Sequence, residues 1–191
     1  MTYAESLRSD QARAVRERIL LAALAEVEAG GEPTMRAVAR RAGVAERTIY
    51  RYFTTREALQ EAVLHEIRTR SSAPMAESVD GLADYLRELF TTFDRNRRLV
   101  RVLLTAPWSP TPVTRPRNLE ALRRLLDAAF PGAPEADRAS AAASLRVLYS
   151  AAGWLYLADC GLDLEASIRH VHWNTEVVLA RLREASGAQH A

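Results

Sequence analysis

Glu46, Arg47, Thr48, Tyr50 and Arg51 put a carboxylate, two guanidinium groups, a hydroxyl and a phenol within six consecutive positions. Guanidinium groups bind guanine edges or phosphate oxygens, hydroxyls serve either, and a carboxylate near bases can accept from cytosine. This set can therefore read a polyanion that carries base edges, provided that one helix presents all five outward. The flanking residues meet that condition. Pro33 and Thr34 signal a helix start, the threonine hydroxyl being placed to accept from a first-turn amide, and Gly43 signals its stop. Val38, Ala39 and Ala42 fall three and four apart on one face of this helix, while Val44, Ile49 and Phe53 pin a second helix across it. Two short helices joined at a glycine form a helix-turn-helix. Arg36, Arg40, Arg41, Arg47, Arg51 and Arg56 make its surface basic, with Glu46 the acid on the reading face. Such a helix pair also occurs in helical proteins that bind no nucleic acid, so a helical scaffold or an enzyme is the alternative reading.

The stretch Thr48-Ile-Tyr-Arg-Tyr-Phe-Thr-Thr-Arg-Glu57, following Ala42-Gly-Val44, resembles the DNA-binding domain of the tetracycline-repressor (TetR/AcrR-type) family of transcriptional regulators. The similarity runs from about Arg13 to Ile67; beyond it only the helical layout is alike. It implies that Arg36, Glu46, Arg47, Thr48 and Tyr50 face base edges in the major groove and that Thr34, Arg51, Tyr52 and Arg56 hold phosphates. It further implies a homodimer on a near-palindromic double-stranded DNA operator, released by a small-molecule effector.

Composition agrees with a globular regulator without selecting one. Net charge is only +2, so attraction to DNA has to come from a local patch. All 26 basic residues are arginine, and the one cysteine, Cys160, rules out an intramolecular disulfide and suits a reducing cytosol. No apolar run reaches membrane-spanning length and the N-terminal residues have no signal-peptide core, which leads to the expectation of a soluble, cytoplasmic protein without a membrane partner. His65, His170, His172 and His190 lack a second ligand at metal spacing, and no phosphate loop or nucleophile motif is present. Neither a metal, a cofactor nor catalysis is expected.

The expected fold is all-α, about nine helices: a three-helix DNA-binding head over residues 1–56, a connecting helix over 57–74, and a helical ligand-binding and dimerisation body over 75–191. Residues 1–9 show no pattern and read as a frayed arm. Val15, Ile19, Ala22, Ala23 and Val27 make a helix from Asp10 to Ala29. Thr54 and Glu57 have capping-box spacing and open the connecting helix, whose stripe is Leu59, Val63 and Ile67. Four prolines make 107–116 a loop, and Glu135 to Cys160 reads as one helix, apolar nearly all round. In the final helix Leu164, Ile168, Val171, Thr175, Val178 and Leu182 alternate four and three apart as a dimer seam, joined by Leu148 and Leu155, with Trp173 and Val177 off it. Tyr85, Leu86, Leu89, Phe90, Phe93, Leu103, Trp108, Leu122, Leu126, Tyr149 and Trp154 are the candidate lining of an apolar effector pocket, though aromatics at helical spacing serve equally as core.

Overall fold

A computed structural model describes residues 3–109 and 116–188. Its described residues form ten helices: α1 (Tyr3–Glu28), α2 (Met35–Ala42), α3 (Glu46–Tyr52), α4 (Arg56–Arg70), α5 (Leu82–Arg95), α6 (Arg97–Thr105), α7 (Pro116–Ala129), α8 (Glu135–Leu148), α9 (Ala151–Asp159) and α10 (Leu164–Ala188). No described helix is long and apolar enough to cross a membrane. The all-α expectation holds, with three corrections of detail. Helix α1 begins at Tyr3, so most of the expected frayed arm is helical. The capping hydroxyl of α4 belongs to Thr55, which accepts from the Ala58 amide at 3.1 Å, one residue beyond the expected box. The apolar stretch 135–160 is two helices, not one.

That last break has a local cause. Ser150 is extended (φ −104°, ψ 152°) and its hydroxyl accepts from the Gly153 amide at 2.9 Å, a side-chain cap that starts α9. The turn folds so tightly that a Cβ on Gly153 would stand 2.8 Å from the Val147 carbonyl oxygen. Only glycine fits there without displacing main chain. A tally of apolar residues over 135–160 misses this, because the interruption lies in one hydroxyl and one missing methyl.

The described residues pack as two units, one drawn from Met1–Arg70 and Arg98–Pro110, the other from Ser71–Arg97 and Thr111–Ala191. In the first, α1 packs on α2 and α4, and α2 on α3. Ile19, Leu24, Val27, Val38, Ile49, Phe53, Leu59, Val63, Ile67 and Leu99 form its core, with Ala42, Val44, Leu103 and Trp108 against it. Burial of the Leu59, Val63 and Ile67 stripe supplies about 1.5–3 kcal/mol per side chain. Arg41 Nε donates to Glu26 Oε1 at 2.6 Å, tying α2 to α1.

In the second unit α7 packs on α8, and α10 on α5, α8 and α9. Leu82, Tyr85, Leu86, Leu89, Phe90 and Phe93 of α5 are all buried, as the periodicity of that helix requires. Leu122 and Leu126 of α7, Tyr149, Trp154, and Val171 and Leu182 of α10 are buried in the same unit, with Tyr85 against Tyr149 and Phe93 against Trp154. Part of the expected loop 107–116, residues 110–115, lies outside the described residues, and α7 starts at Pro116, a position where a missing amide proton costs a helix nothing.

Candidate nucleic-acid interface

Presentation of the reading residues begins with two stops in the main chain. Thr34 is extended (φ −78°, ψ 152°) and its Oγ1 accepts from the Ala37 amide at 3.2 Å, which opens α2. Gly43 ends α2 in the left-handed region (φ 64°), where a side chain would be strained, and lets the Val44 amide donate a hydrogen bond to the Ala39 carbonyl at 3.1 Å. The chain is thereby turned so that α3 crosses α2, fastened by the fully buried Ile49 and by Phe53 at its C-terminal end.

With Ile49 inward, Glu46, Arg47, Tyr50 and Arg51 point to solvent, Tyr50 being 49% exposed. Thr48 and Tyr52 are half-buried on the flanks. Arg36 is exposed in the first turn of α2. Among the described residues Arg36, Arg40 and Arg47 enter no ion pair, which leaves three guanidinium groups of the helix pair able to take an anionic partner without breaking an internal bond. Arg51 lies over the Tyr52 ring, 5.1 Å from its centroid, and Nη2 approaches the phenol oxygen at 3.4 Å; the stack limits the swing of this guanidinium beside the α3 face. Thr34 keeps a hydroxyl proton to donate while its oxygen caps α2, and the amides at a helix N-terminus favour phosphate.

Glu46 has a structural task. Ala45 offers α3 no side-chain cap, so a carboxylate in the first turn complements the amide dipoles there. Arg56 departs from simple exposure: its guanidinium pairs with Glu32 Oε1 on the turn between α1 and α2, and Gln60 Nε2 donates to the same oxygen at 3.1 Å. Two further contacts escaped the sequence reading, the Glu26–Arg41 pair and Arg16 stacked 5.1 Å from the centroid of the Phe53 ring. Residues 15 and 37 positions apart carry no spacing signal, so neither contact is legible before the helices are packed.

The candidate effector lining divides between the two units. Leu103 and Trp108 pack with the first, because α6 lies on its core through Leu99 and Val102. The other nine lie in the second unit, where Tyr85 meets Tyr149 edge-on at 5.7 Å, Phe93 lies 6.0 Å from Phe90, and Phe93 lies 5.8 Å from Trp154. Burial pushes the Tyr149 hydroxyl up to about 12. A cavity of about 370 Å³ occurs in the first unit, lined by Gly30, Gly31, Glu32, Val102, Thr105, Ala106, Pro107 and Trp108.

Of the expected dimer seam, Ile168, Val171, Thr175 and Leu182 are buried within the single chain, and Leu155 with them. Leu148, Leu164 and Val178 are half-buried. The physical reason is that α10 is covered on this side by α5, α8 and α9 of its own unit. Among the described residues of this unit, the large apolar side chains left facing solvent are Val147, Tyr156, Trp173 and Val177, at 66, 70, 66 and 52% exposure, including the two placed off the seam.

Comparison with known proteins agrees with this geometry. Residues 19–63, which span the core-facing half of α1 through most of α4, match the family model described as bacterial regulatory proteins, tetR family. A crystal structure of a TetR transcriptional regulator from Rhodococcus sp. RHA1 is similar over 90% of this chain and 98% of that one, with 26% identity and a TM-score of 0.54. The chain has no match among curated proteins.

Proposed function

We propose that the chain, whose residues 19–63 match the tetR family of bacterial regulatory proteins, is a DNA-binding transcriptional regulator, a homodimeric repressor released from its operator by a small, largely apolar molecule. The observation that supports this reading is the basic, outward face of α2 and α3, with Arg36, Arg47 and Tyr50 exposed around the buried Ile49. Arg36, Glu46, Arg47, Thr48 and Tyr50 contact bases, and Thr34, Arg51, Tyr52 and Arg56 contact phosphates. Two copies meet through the solvent-facing apolar residues of α8, α9 and α10, which matches two recognition helices to two half-sites about one helical turn apart or somewhat more.

The effector enters the aromatic core of the second unit beside Tyr85 and Tyr149, whose hydroxyls orient an otherwise apolar ligand. A hundredfold preference for the DNA-incompetent state shifts the equilibrium by about 2.7 kcal/mol, enough to empty an operator. The protein acts in the cytoplasm, where its DNA is. The test is a mobility shift at moderate salt on the promoter beside its own gene, repeated with hydrophobic compounds. Retarded DNA, released by a compound that also raises the melting temperature, is expected; no retardation at any salt removes the reading.

A further inference from the structure

The cavity in the first unit has walls of two kinds. Val102, Ala106, Pro107 and Trp108 make one side apolar, while Gly30 and Gly31 contribute main chain with no side chain to fill the space. At Gly30 nothing stands within 4 Å of where a Cβ would be. Its volume of about 370 Å³ lies in the range of small-molecule sites, about 300–1,000 Å³. Among its lining residues one side chain is charged, Glu32.

Glu32 is asymmetric in its bonding. Arg56 and Gln60 both donate to Oε1, and no described residue donates to Oε2. The side chain keeps 40% of its surface exposed, so the second oxygen can accept from a cation that does not belong to the protein. A flat ring bearing that cation suits the remaining wall, where the Trp108 indole and three aliphatic side chains offer apolar and π surface. We propose that this cavity is a binding site for a small aromatic cation, an arylalkyl ammonium or amidinium, held by Glu32 beside Trp108.

The site is coupled to the DNA face by the same carboxylate. In the free protein Glu32 neutralises Arg56, which the proposed function assigns to a phosphate, and DNA must draw Arg56 away from it. A bound cation takes over that neutralisation and releases Arg56 to the phosphate. This ligand therefore strengthens DNA binding, opposite in sign to the apolar effector; the coupling rests on the DNA reading, whereas the site does not.

Calorimetry on the full chain tests the site, with 1-naphthylmethylammonium as probe and neutral 1-naphthylmethanol as control. The amine is expected to bind at least about tenfold more tightly than the alcohol, a gap that Glu32→Gln closes because it removes the charge-assisted hydrogen bond. Ala106→Phe fills the cavity and is expected to abolish amine binding while the melting temperature and DNA affinity stay as in the parent. Equal binding of amine and alcohol, undiminished amine binding by Ala106→Phe, or no amine binding overturns the site. For the coupling, saturating amine is expected to tighten binding to a random-sequence duplex severalfold in the parent chain and not in Arg56→Ala. Amine that binds in the calorimeter yet leaves the parent's DNA affinity unchanged overturns the link to Arg56. A chain that binds no duplex overturns the DNA reading, and the calorimetric arm still decides the site.

Discussion

The hydroxyls of Tyr149 and Thr175 share a hydrogen bond of 2.9 Å, and Thr175 Oγ1 also stands 2.9 Å from the Val171 carbonyl, to which it donates. One residue came from the candidate pocket and the other from the candidate dimer seam. Their bond joins α8 to α10 inside one chain, so both belong first to the core of the second unit.

Burial makes the neutral phenol of Tyr149 the form that the fold prefers. The Tyr149 pKa rises from 10.0 to about 12, chiefly through burial, which the Thr175 hydrogen bond offsets only in part. Below pH 10 the group is protonated folded and unfolded, and stability does not depend on it. Between pH 10 and about 12 the unfolded chain loses the proton first, so stability falls, by about 2.7 kcal/mol in all at about 1.36 kcal/mol per pH unit. Denaturant titrations at about pH 9 and about pH 11.5 should show this drop in the parent chain and a smaller one in Tyr149→Phe. Equal drops in the two chains would show that the hydroxyl titrates as it does in the unfolded chain.

Arg47 and Arg56 should fail differently at DNA. Arg47 is exposed on α3 without an internal partner among the described residues, so Arg47→Ala should relax preference at one base position at a cost of about 1–3 kcal/mol. Arg56→Ala should weaken all duplexes alike and reduce the salt slope by about one. Binding isotherms on a set of single-base operator variants at several salt concentrations separate the two; identical, sequence-blind losses would cancel the division into base and phosphate contacts.

Arginine placed on opposite sides of α10 separates assembly from folding. Trp173→Arg and Val177→Arg alter solvent-facing positions and should yield a folded monomer with an unchanged melting profile at high dilution. Val171→Arg places an unpaired charge where the side chain is fully buried and should cost about 3–5 kcal/mol of the chain's own stability. Light scattering beside circular dichroism gives both readouts. Dimers that survive both exposed substitutions would exclude that face as the subunit contact.

The start of α4 offers a test at one-residue resolution. Thr55→Ala removes the hydroxyl that accepts from the Ala58 amide and should cost about 1 kcal/mol, whereas Thr54→Ala should change stability by less than about 0.5 kcal/mol. Thermal melts of the two variants decide which threonine caps the helix.

What was legible in the sequence follows from how far each signal reaches. The α2–α3 pair was legible because its determinants are local: a cap at Thr34, a glycine at 43, and Val38, Ala39, Ile49 and Phe53 at helical spacing. The α5 stripe from Leu82 to Phe93 was legible for the same reason. Periodicity shows that a face is apolar, but not what covers it. Hence periodicity alone does not show that Val171 and Thr175 are buried within their own chain, nor that Leu103 and Trp108 pack against the core of the first unit. The break at Ser150 was hidden by composition, since its cause is a cap and one close main-chain approach. The Glu32–Arg56–Gln60 cluster was illegible because its members meet only when the α1–α2 turn is laid beside the first turn of α4.

The basic face of α2 and α3 is built from guanidinium groups alone, and the 191-residue chain has no lysine. Acetyl and ubiquityl transfer act on the side-chain amine of lysine, and arginine offers none. Charge on this face therefore cannot be erased by acyl donors that act on lysine. At the bench, active esters that target side-chain amines will leave Arg36, Arg47 and Arg51 untouched, so a dye or resin coupled by that chemistry will not block the surface whose DNA affinity is being measured.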